Sequence, residues 1–425
     1  MSLETDRIIN GDCMDVMSEF PEESIHAVVC DPPYGLNFMP DVTNGWDDFE
    51  PKEYQEFCEE WAKEVKRVLK PGGHLLAFSG NRTHHRLFTG VEDTGFEIRD
   101  TLTWHYGSGF PKASDISKTI DKREGAERET KPYVSPSGNE MGRGEDYTTY
   151  GEPAETEQLT TSEPATDSAK QWDGWKTGLK PATEYIVMAR KPFDGATVDC
   201  VLEHGTGALN IDSCRVEHEN GGWTREGPKD DITGGSFGDQ ENDETYMPKG
   251  GVTSGADNGR YPSNVVFDET ESERLDALEE HTEGGRGNTN AGLTGDKYGE
   301  QTDSRIETPT YDDHGGPSRY FYTSKASKSE RTENGKIENS HPTVKPQDLM
   351  EWLVKLVTKE NQLVVDPFCG SGTTLKACKS LNRDFIGIEK QPKWADVARV
   401  RVGLTPKDPS VVRSNDNQSG LEVFE

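Results

Sequence analysis

Apolar residues, basic residues and paired cysteines are all scarce in this 425-residue sequence. Only 31% of residues are hydrophobic, so the chain can build a core but must leave much of itself as surface or loop. No apolar run approaches the ~20 residues that a membrane span needs. The opening stretch Met1–Arg7 is polar and does not read as a secretion signal, which gives a cytoplasmic expectation. The seven cysteines are odd in number and irregular in spacing, with no Cys-x-x-Cys pair. That argues against a disulfide framework and against a zinc site, so reduced thiols and no metal are expected. No internal repeat is present. Basic residues number 47 against 78 acids, a net charge of −31, where a nucleic-acid-binding surface is usually basic. Either the chain does not bind nucleic acid, or it works in very high salt, where charges are screened within ~3 Å at 1 M. The acids are spread along the whole chain rather than gathered in a tail, which favours a halophilic setting.

Against that background one stretch stands out: Val28-Val29-Cys30-Asp31-Pro32-Pro33-Tyr34-Gly35. The apolar and small residues read as the end of a buried strand. Two prolines then forbid further strand pairing and fix the backbone as it leaves the sheet. An acid, a rigid carbonyl and an aromatic ring are thereby presented where open α/β sheets bind ligands. The Asp31 carboxylate and the Pro32 carbonyl can each accept an N–H, and Tyr34 can stack on a flat ring. This set suits the grip of a nucleobase's exocyclic amino group; the plainer reading is an ordinary Pro-Pro turn.

Around this stretch, β and α signals alternate. Strands are expected at Arg7–Asn10, Ile25–Cys30 and His74–Ser79, with an extended segment over Phe96–Tyr106. Between them lie a short helix over Met14–Phe20, an amphipathic helix over Pro51–Leu69 stopped by Pro71-Gly72-Gly73, and a helix over Asn81–Thr94. Such alternation predicts a mostly parallel sheet covered on both faces. The middle differs. Glu124–Lys170 is polar and expected to be mobile; Asn220–Arg260 and Glu283–Gly316 lack apolar periodicity. Short ordered islands are expected at Tyr185–Ala189, Leu202–Ile211, Tyr261–Asp268 and Arg319–Ser324. Order returns with a helix beginning at Pro346, then a strand at Leu363–Val365, a glycine turn, a helix to about Leu381, a strand at Phe385–Ile388 and a helix over Pro392–Val402.

Strand, glycine turn, helix, strand and terminal acid follow the logic of a nucleotide-type cofactor site. In Asp366-Pro367-Phe368-Cys369-Gly370-Ser371-Gly372-Thr373, Gly370 and Gly372 let the backbone approach a ligand at a helix N-terminus. Glu389 can hold two ribose hydroxyls. The turn is neither Gly-x-Gly-x-x-Gly nor a Gly-Lys-Ser/Thr phosphate loop, so a dinucleotide or a nucleoside triphosphate fits poorly.

Together these motifs resemble those of S-adenosylmethionine-dependent DNA amino-methyltransferases. Asp366–Thr373 resembles their cofactor motif and Asp31–Tyr34 their catalytic motif. Ser340-His341-Pro342-Thr343-Val344-Lys345-Pro346 resembles the segment that precedes the cofactor strand. Trp104–Lys122, Lys180–Phe193, Arg260–Asp268 and Arg319–Arg331 are similar to segments of phage- and prophage-type members. The catalytic motif comes first and the cofactor motif last, the permuted order of the β class. The resemblance implies a Rossmann-like doubly wound methyltransferase sheet with a long target-recognition insert. Its parts would be a catalytic half (1–106), the insert (107–333), a cofactor-binding half (334–405) and a polar tail (406–425).

By the same resemblance Asp31, Pro32, Pro33 and Tyr34 would be catalytic. Asp366, Phe368, Gly370, Ser371, Gly372 and Thr373 would line the methionine and sugar side of S-adenosylmethionine, Glu389 would bind the ribose, Thr343 and Lys345 the methionine carboxylate, and Asp12 the adenine. Asp12 could instead cap the helix after it, and Lys345 could be solvated. The target would be a base flipped out of double-stranded DNA. Asp at the first motif position leans toward adenine N6 over cytosine N4. Cys30 invites a nucleophile role as in cytosine C5 methylation, but it lies inside the apolar strand and the Pro-Cys pair of those enzymes is absent. Phosphate contacts are expected in the insert, from among His105, Lys112, Lys118, Lys122, Arg123, Arg128, Arg143, Arg260 and Arg319. A homodimer and a cognate restriction endonuclease are partners the family brings with it. Competing readings are a protein or RNA methyltransferase, opposed by Asp31 and the motif order; a non-catalytic DNA-binding subunit, opposed by the intact motifs; and an acidic binding protein, opposed by the cofactor turn.

Overall fold

A computed structural model describes residues 3–37, 47–107, 113–132, 160–216, 260–277 and 343–412, with shorter stretches between 318 and 341. The N-terminal elements are β1 (Arg7–Asn10), α1 (Cys13–Ser18), β2 (Ile25–Cys30), α2 (Pro51–Val68), β3 (Leu69–Ser79), α3 (His84–Asp93) and β4 (Glu97–His105). The middle adds α4 (Ile116–Glu124), β5 (Thr130–Pro132), β6 (Thr160–Ser162), α5 (Asp167–Gln171), β7 (Thr183–Arg190), α6 (Thr197–His204), β8 (Val265–Asp268), α7 (Glu269–Ala277) and β9 (Tyr322–Ser324). The last third adds α8 (Gln347–Val357), β10 (Leu363–Asp366), α9 (Thr373–Ser380), β11 (Asp384–Glu389) and α10 (Pro392–Arg401). Among the described residues no helix is long and apolar enough to cross a membrane.

Nine strands form one sheet in the order β1-β11-β10-β2-β3-β7-β4-β8-β9. All pairings are parallel except the two made by β7, which runs against its neighbours β3 and β4. The strands are buried on both sides because successive side chains alternate. Ala27 and Val29 pack with Leu349, Leu353 and Leu375 on one face, while Val28 and Cys30 pack with Tyr54, Cys58 and Trp61 on the other. This is the doubly wound, Rossmann-like α/β sheet expected from the alternating signals.

From β10 the chain winds outward through β11, and from β2 it winds the opposite way through β3. The direction reverses between β10 and β2, which pair directly through Val365 and Val28. Crevices at the carboxyl ends of such strands are where open α/β sheets place ligands. The turns after Cys30 and after Asp366 both leave the sheet there. β7 runs the other way, so its first residues reach the same edge: Tyr185 pairs with Ser79, and Glu184 with Trp104.

Local chemistry explains most boundaries. Pro51 opens α2 with a capping box between Glu50 and Glu53, and Tyr54, Cys58, Trp61, Ala62, Val65 and Val68 form its buried stripe. Several expectations need correcting. The helix ends at Val68, before Pro71-Gly72-Gly73, and those residues run inside β3. Gly72 donates to the Lys191 carbonyl, and Lys191 donates back to Gly73. α3 starts at His84, three residues late, and Pro346 caps α8 rather than beginning it. Glu124–Lys170, read as mobile, has ordered ends. Buried Asp121 accepts from the amides of Ala165 and Thr166 and from the Thr166 hydroxyl, tying α4 to α5. The 107–333 stretch supplies three strands, β7, β8 and β9, to the main sheet. The chain after 405, read as a frayed tail, still packs at Val411 against Trp394 and Ile337.

Gly387 lies in β11 against α9, and an added Cβ would collide with Leu375 and lie 2.9 Å from Cys369 Sγ. Gly387→Ala should therefore cost about 1–3 kcal/mol by overpacking, read as a lowered urea midpoint with unchanged slope.

Candidate functional site

The residues of the Asp31–Tyr34 turn are held by partners from other segments. Tyr54 of α2 donates its hydroxyl to the Pro33 carbonyl at 2.9 Å. Gly35 follows with φ +64°, and an added Cβ would sit 2.7 Å from the Tyr54 ring, so only glycine fits there. Buried Asp47 accepts from the amides of Gly35 at 2.6 Å and Leu36 at 3.2 Å, clamping the turn's exit.

Asp31 sits in a cluster of ionisable side chains. The Tyr34 hydroxyl is 2.8 Å from Asp31 Oδ1 and 3.0 Å from Glu184 Oε2. Lys345 Nζ donates to Asp31 Oδ2 at 2.6 Å and to the Tyr34 oxygen at 3.1 Å, and lies 3.3 Å from Glu184 Oε2. Burial pushes the Glu184 carboxyl up, with Lys345 opposing and Asp31 adding to the rise. Burial pulls the Lys345 ammonium down, but the Asp31 and Glu184 carboxylates outweigh it and keep the lysine charged. Burial and the same two acids hold the Tyr34 phenol protonated. Lys345 is thus not solvated: its side chain is 7% exposed.

The second turn meets the first across one cavity of about 640 Å³. Its walls include Asp12, Asp31, Pro33, Thr343, Lys345, Asp366, Phe368, Gly370, Ser371, Thr373 and Glu389. Three of the residues picked from sequence, Pro32, Tyr34 and Gly372, lie behind this lining. Gly372 has φ +83° and no room on the side of α10, where an added Cβ would lie 2.9 Å from Ala398. The glycine is therefore required by helix packing as well as by its backbone. At Gly370 the missing side chain makes room for the His341 ring, which packs edge-on against Trp394.

Glu389 lies at the tip of β11. Its two oxygens accept from the amides of Gly370 at 3.0 Å and Gln391 at 2.7 Å, and burial raises its pKa. Asp12 caps α1 by accepting from Met14 N–H at 3.1 Å, and pairs with Lys390 at the cavity rim. Phe368 turns its ring edge-on to Trp61, 5.6 Å away, while its amide donates to Asp366 Oδ1. Phe49 and Phe57 complete an aromatic wall. Buried Arg401 donates to the Ser371 carbonyl, the Ser371 hydroxyl and the Thr373 hydroxyl, bracing the turn from behind. Cys30 is buried in β2 and its thiol is pushed well above its ordinary range, first by burial, so it is no nucleophile.

Sequence reasoning missed Glu184, Asp47, His341 and Arg401. His341 lay within the quoted Ser340–Pro346 segment and Glu184 within the quoted Lys180–Phe193 segment, without being singled out; Asp47 and Arg401 lie where nothing local marks them.

The phosphate candidates divide. Lys118, Lys122 and Arg123 are exposed on α4. Arg128 is engaged internally, its Nε 2.6 Å from Asp121. Both His105 ring nitrogens bond threonine hydroxyls, and burial lowers its pKa, so it is a neutral structural group near pH 7. Arg260 lies in a backbone bridge with Val216. Lys112, Arg143 and Arg319 fall outside the described residues, as do Ser340 and Pro342.

Residues 25–399 match the family model described as DNA methylase (N6_N4_Mtase). The type II methyltransferase M.HindIII of Haemophilus influenzae is 25% identical over 432 aligned residues, covering 94% of this chain and 96% of that protein. M.HinfI, a type II methyltransferase of the same organism, is 36% identical over 116 residues, covering 24% of this chain and 32% of its own. Among solved structures, the PvuII DNA methyltransferase (cytosine-N4-specific) superposes with a TM-score of 0.45 at 15% identity, over 96% of this chain and 89% of that one. The M1.HpyAVI–SAM complex gives 0.40 at 15%, over 94% and 99%.

Asp366 is buried, and burial pushes its carboxyl up to about 7 from an ordinary 3.8. Between those values the folded protein keeps a proton that the unfolded chain has lost. Stability contributed by this group should therefore fall as pH rises through that window and level off above it. Asp366→Asn should remove that part of the fall, seen by urea titration of both proteins at about pH 5 and about pH 8. Equal pH slopes for the two proteins would mean Asp366 stays ionised throughout.

Proposed function

This chain belongs to the DNA methylase family, and from that premise we propose that it methylates the exocyclic amino nitrogen of a base flipped out of double-stranded DNA, adenine N6 rather than cytosine N4, using S-adenosylmethionine. The observation that carries the reading is the convergence of the Asp31–Tyr34 turn and the Asp366–Thr373 turn on one cavity from adjacent strands.

The cavity fits the cofactor. Its volume falls in the ~300–1,000 Å³ range of small-molecule sites. Glu389 keeps lone pairs for ribose hydroxyls after accepting two amides. Phe49, Phe57 and Phe368 offer aromatic surface for a purine, with Asp12 at the rim. Thr343 and Lys345 supply a hydroxyl and a cation for a carboxylate. When bound, S-adenosylmethionine supplies a methyl group activated by a sulfonium.

An exocyclic amino nitrogen is a weak nucleophile, because its lone pair is delocalised into the ring. The Asp31 carboxylate and the Pro32 carbonyl hold its two N–H bonds and favour a more tetrahedral nitrogen. The lone pair then points along the line of transfer, so positioning and electrostatics carry the catalysis. Transfer leaves the nitrogen with one proton too many, and Asp31 is the acceptor beside it. Tyr54 and Asp47 hold this turn rigid from both ends. Tyr34 contributes ring surface for stacking the flipped base.

Asp at position 31 supports adenine. The order of the two turns in the chain supports the permuted β class, and the similar segments named above support a phage-type member. The division into a catalytic half (1–106), a recognition stretch (107–333), a cofactor half (334–405) and a tail (406–425) follows from that order. Exposed Lys118, Lys122 and Arg123 on α4 are the described candidates for phosphate contact. The similarity to M.HindIII, a type II methyltransferase, supports a modification role beside a cognate endonuclease; the homodimer rests on the family resemblance alone. The charge of −31 supports operation at high salt.

The protein should convert unmethylated DNA to a product that yields N6-methyladenine on digestion to nucleosides and mass analysis. Asp31→Ala should lower the yield about 10²–10³-fold, the scale of one preorganised polar group. Activity should persist in molar salt. N4-methylcytosine would overturn the base assignment, and no methylated nucleoside at any salt would overturn the reaction.

A further inference from the structure

The Asp31 carboxylate, which the target amino group needs, is already taken. Lys345 Nζ sits on Oδ2 at 2.6 Å and the Tyr34 hydroxyl on Oδ1 at 2.8 Å. The same ammonium lies over the Tyr34 ring, 5.3 Å from its centroid, and 5.0 Å from that of Phe78. One lysine therefore occupies the acceptor assigned to the base and sits at the hydroxyl end of the ring assigned to stack on it. Glu184, from the antiparallel strand β7, completes the hold at 3.3 Å. With Lys345 charged, Asp31, Glu184 and Lys345 sum to one negative charge. A buried ammonium between two carboxylates does not leave for water; it leaves only for another anion. Such a site is at hand, because Lys345 also lines the 640 Å³ cavity beside Thr343 and the glycine turn.

We propose that Lys345 is an electrostatic latch, held on Asp31 and Tyr34 by Glu184, which turns to a cofactor carboxylate in the cavity and so opens the base site only after the cofactor is bound. This rests on the methyltransferase reading. Glu184 is then a positioning residue that acts through Lys345. It sets how much attraction the cofactor carboxylate must match, and hence the order of binding.

Calorimetric titration of the full chain with S-adenosylmethionine and with its decarboxylated analogue separates the latch from simple packing. Glu184→Gln weakens the hold on Lys345, so it should bind S-adenosylmethionine about three- to tenfold tighter, the scale of one partly buried ion-pair contact, and leave the analogue unchanged. Lys345→Met should weaken S-adenosylmethionine about tenfold or more and spare the analogue. The double variant Lys345→Met/Glu184→Gln keeps the net charge of the cluster and should match Lys345→Met, because Glu184 has nothing left to hold. A merely structural Glu184 would weaken both ligands or neither. Glu184→Gln with unchanged or weaker S-adenosylmethionine binding overturns the latch, and so does equal loss of both ligands in Lys345→Met. If Glu184→Gln does not fold, Lys345→Met decides alone. A wild-type protein that binds neither ligand overturns the cofactor assignment underneath, a result distinct from failure of the latch.

Discussion

A single buried ammonium joins three distant parts of the chain. Lys345 comes from the approach to α8, Asp31 from the end of β2, and Glu184 from the start of β7. Lys345 and Asp31 are 314 residues apart in sequence. Two facing carboxylates repel and a buried lysine needs an anion, so in the free protein the three groups stabilise one another. The carboxyl end of β2, the amino end of β7 and the approach to α8 are therefore held to one geometry by charge as well as by packing on the sheet. The cavity between the two turns inherits its shape from that agreement.

The outer supports act without touching the charges. Tyr54 and Asp47 hold the backbone of the Asp31–Tyr34 turn and its exit, and Arg401 holds the glycine turn from the far side. Each comes from a helix or loop packed on the sheet, so the precision of the site derives from the core rather than from its own loops. Arg401, buried in the last turn of α10, links the cavity wall to a helix that also packs beside β1 through Arg399 and the Ile8 carbonyl.

What the sequence disclosed was local chemistry. The Pro-Pro turn, the glycine turn and the amphipathic stripe of α2 are each set by residues within a few positions of one another, and all were readable. Asp12 was readable in both of its senses, as a helix cap and as a cavity wall. Pro71-Gly72-Gly73 misled because these residues usually end helices, whereas here the Lys191 backbone pairs with them and extends β3 over them. Glu184 was silent. In Thr183-Glu184-Tyr185-Ile186 nothing distinguishes a surface glutamate from one aimed at Asp31. Only the insertion of an antiparallel strand between β3 and β4 brings it there, and that pairing is not encoded locally. Asp47 and Arg401 were missed for the same reason.

The seating of β1 against β11 has a consequence for how the molecule is made. Asn10 donates to the Glu389 carbonyl 379 residues later, and β2 acquires its neighbour β10 only after the long intervening stretch has been made. A growing chain on the ribosome thus carries one flank of β2 unpaired until β10 is made, with the face of Ala27 and Val29 short of the α8 and α9 residues that cover it. Contacts so remote in sequence slow folding, and an open strand edge is a template for pairing with other chains. Until β10 and β11 emerge, the net charge of −31 works against such association.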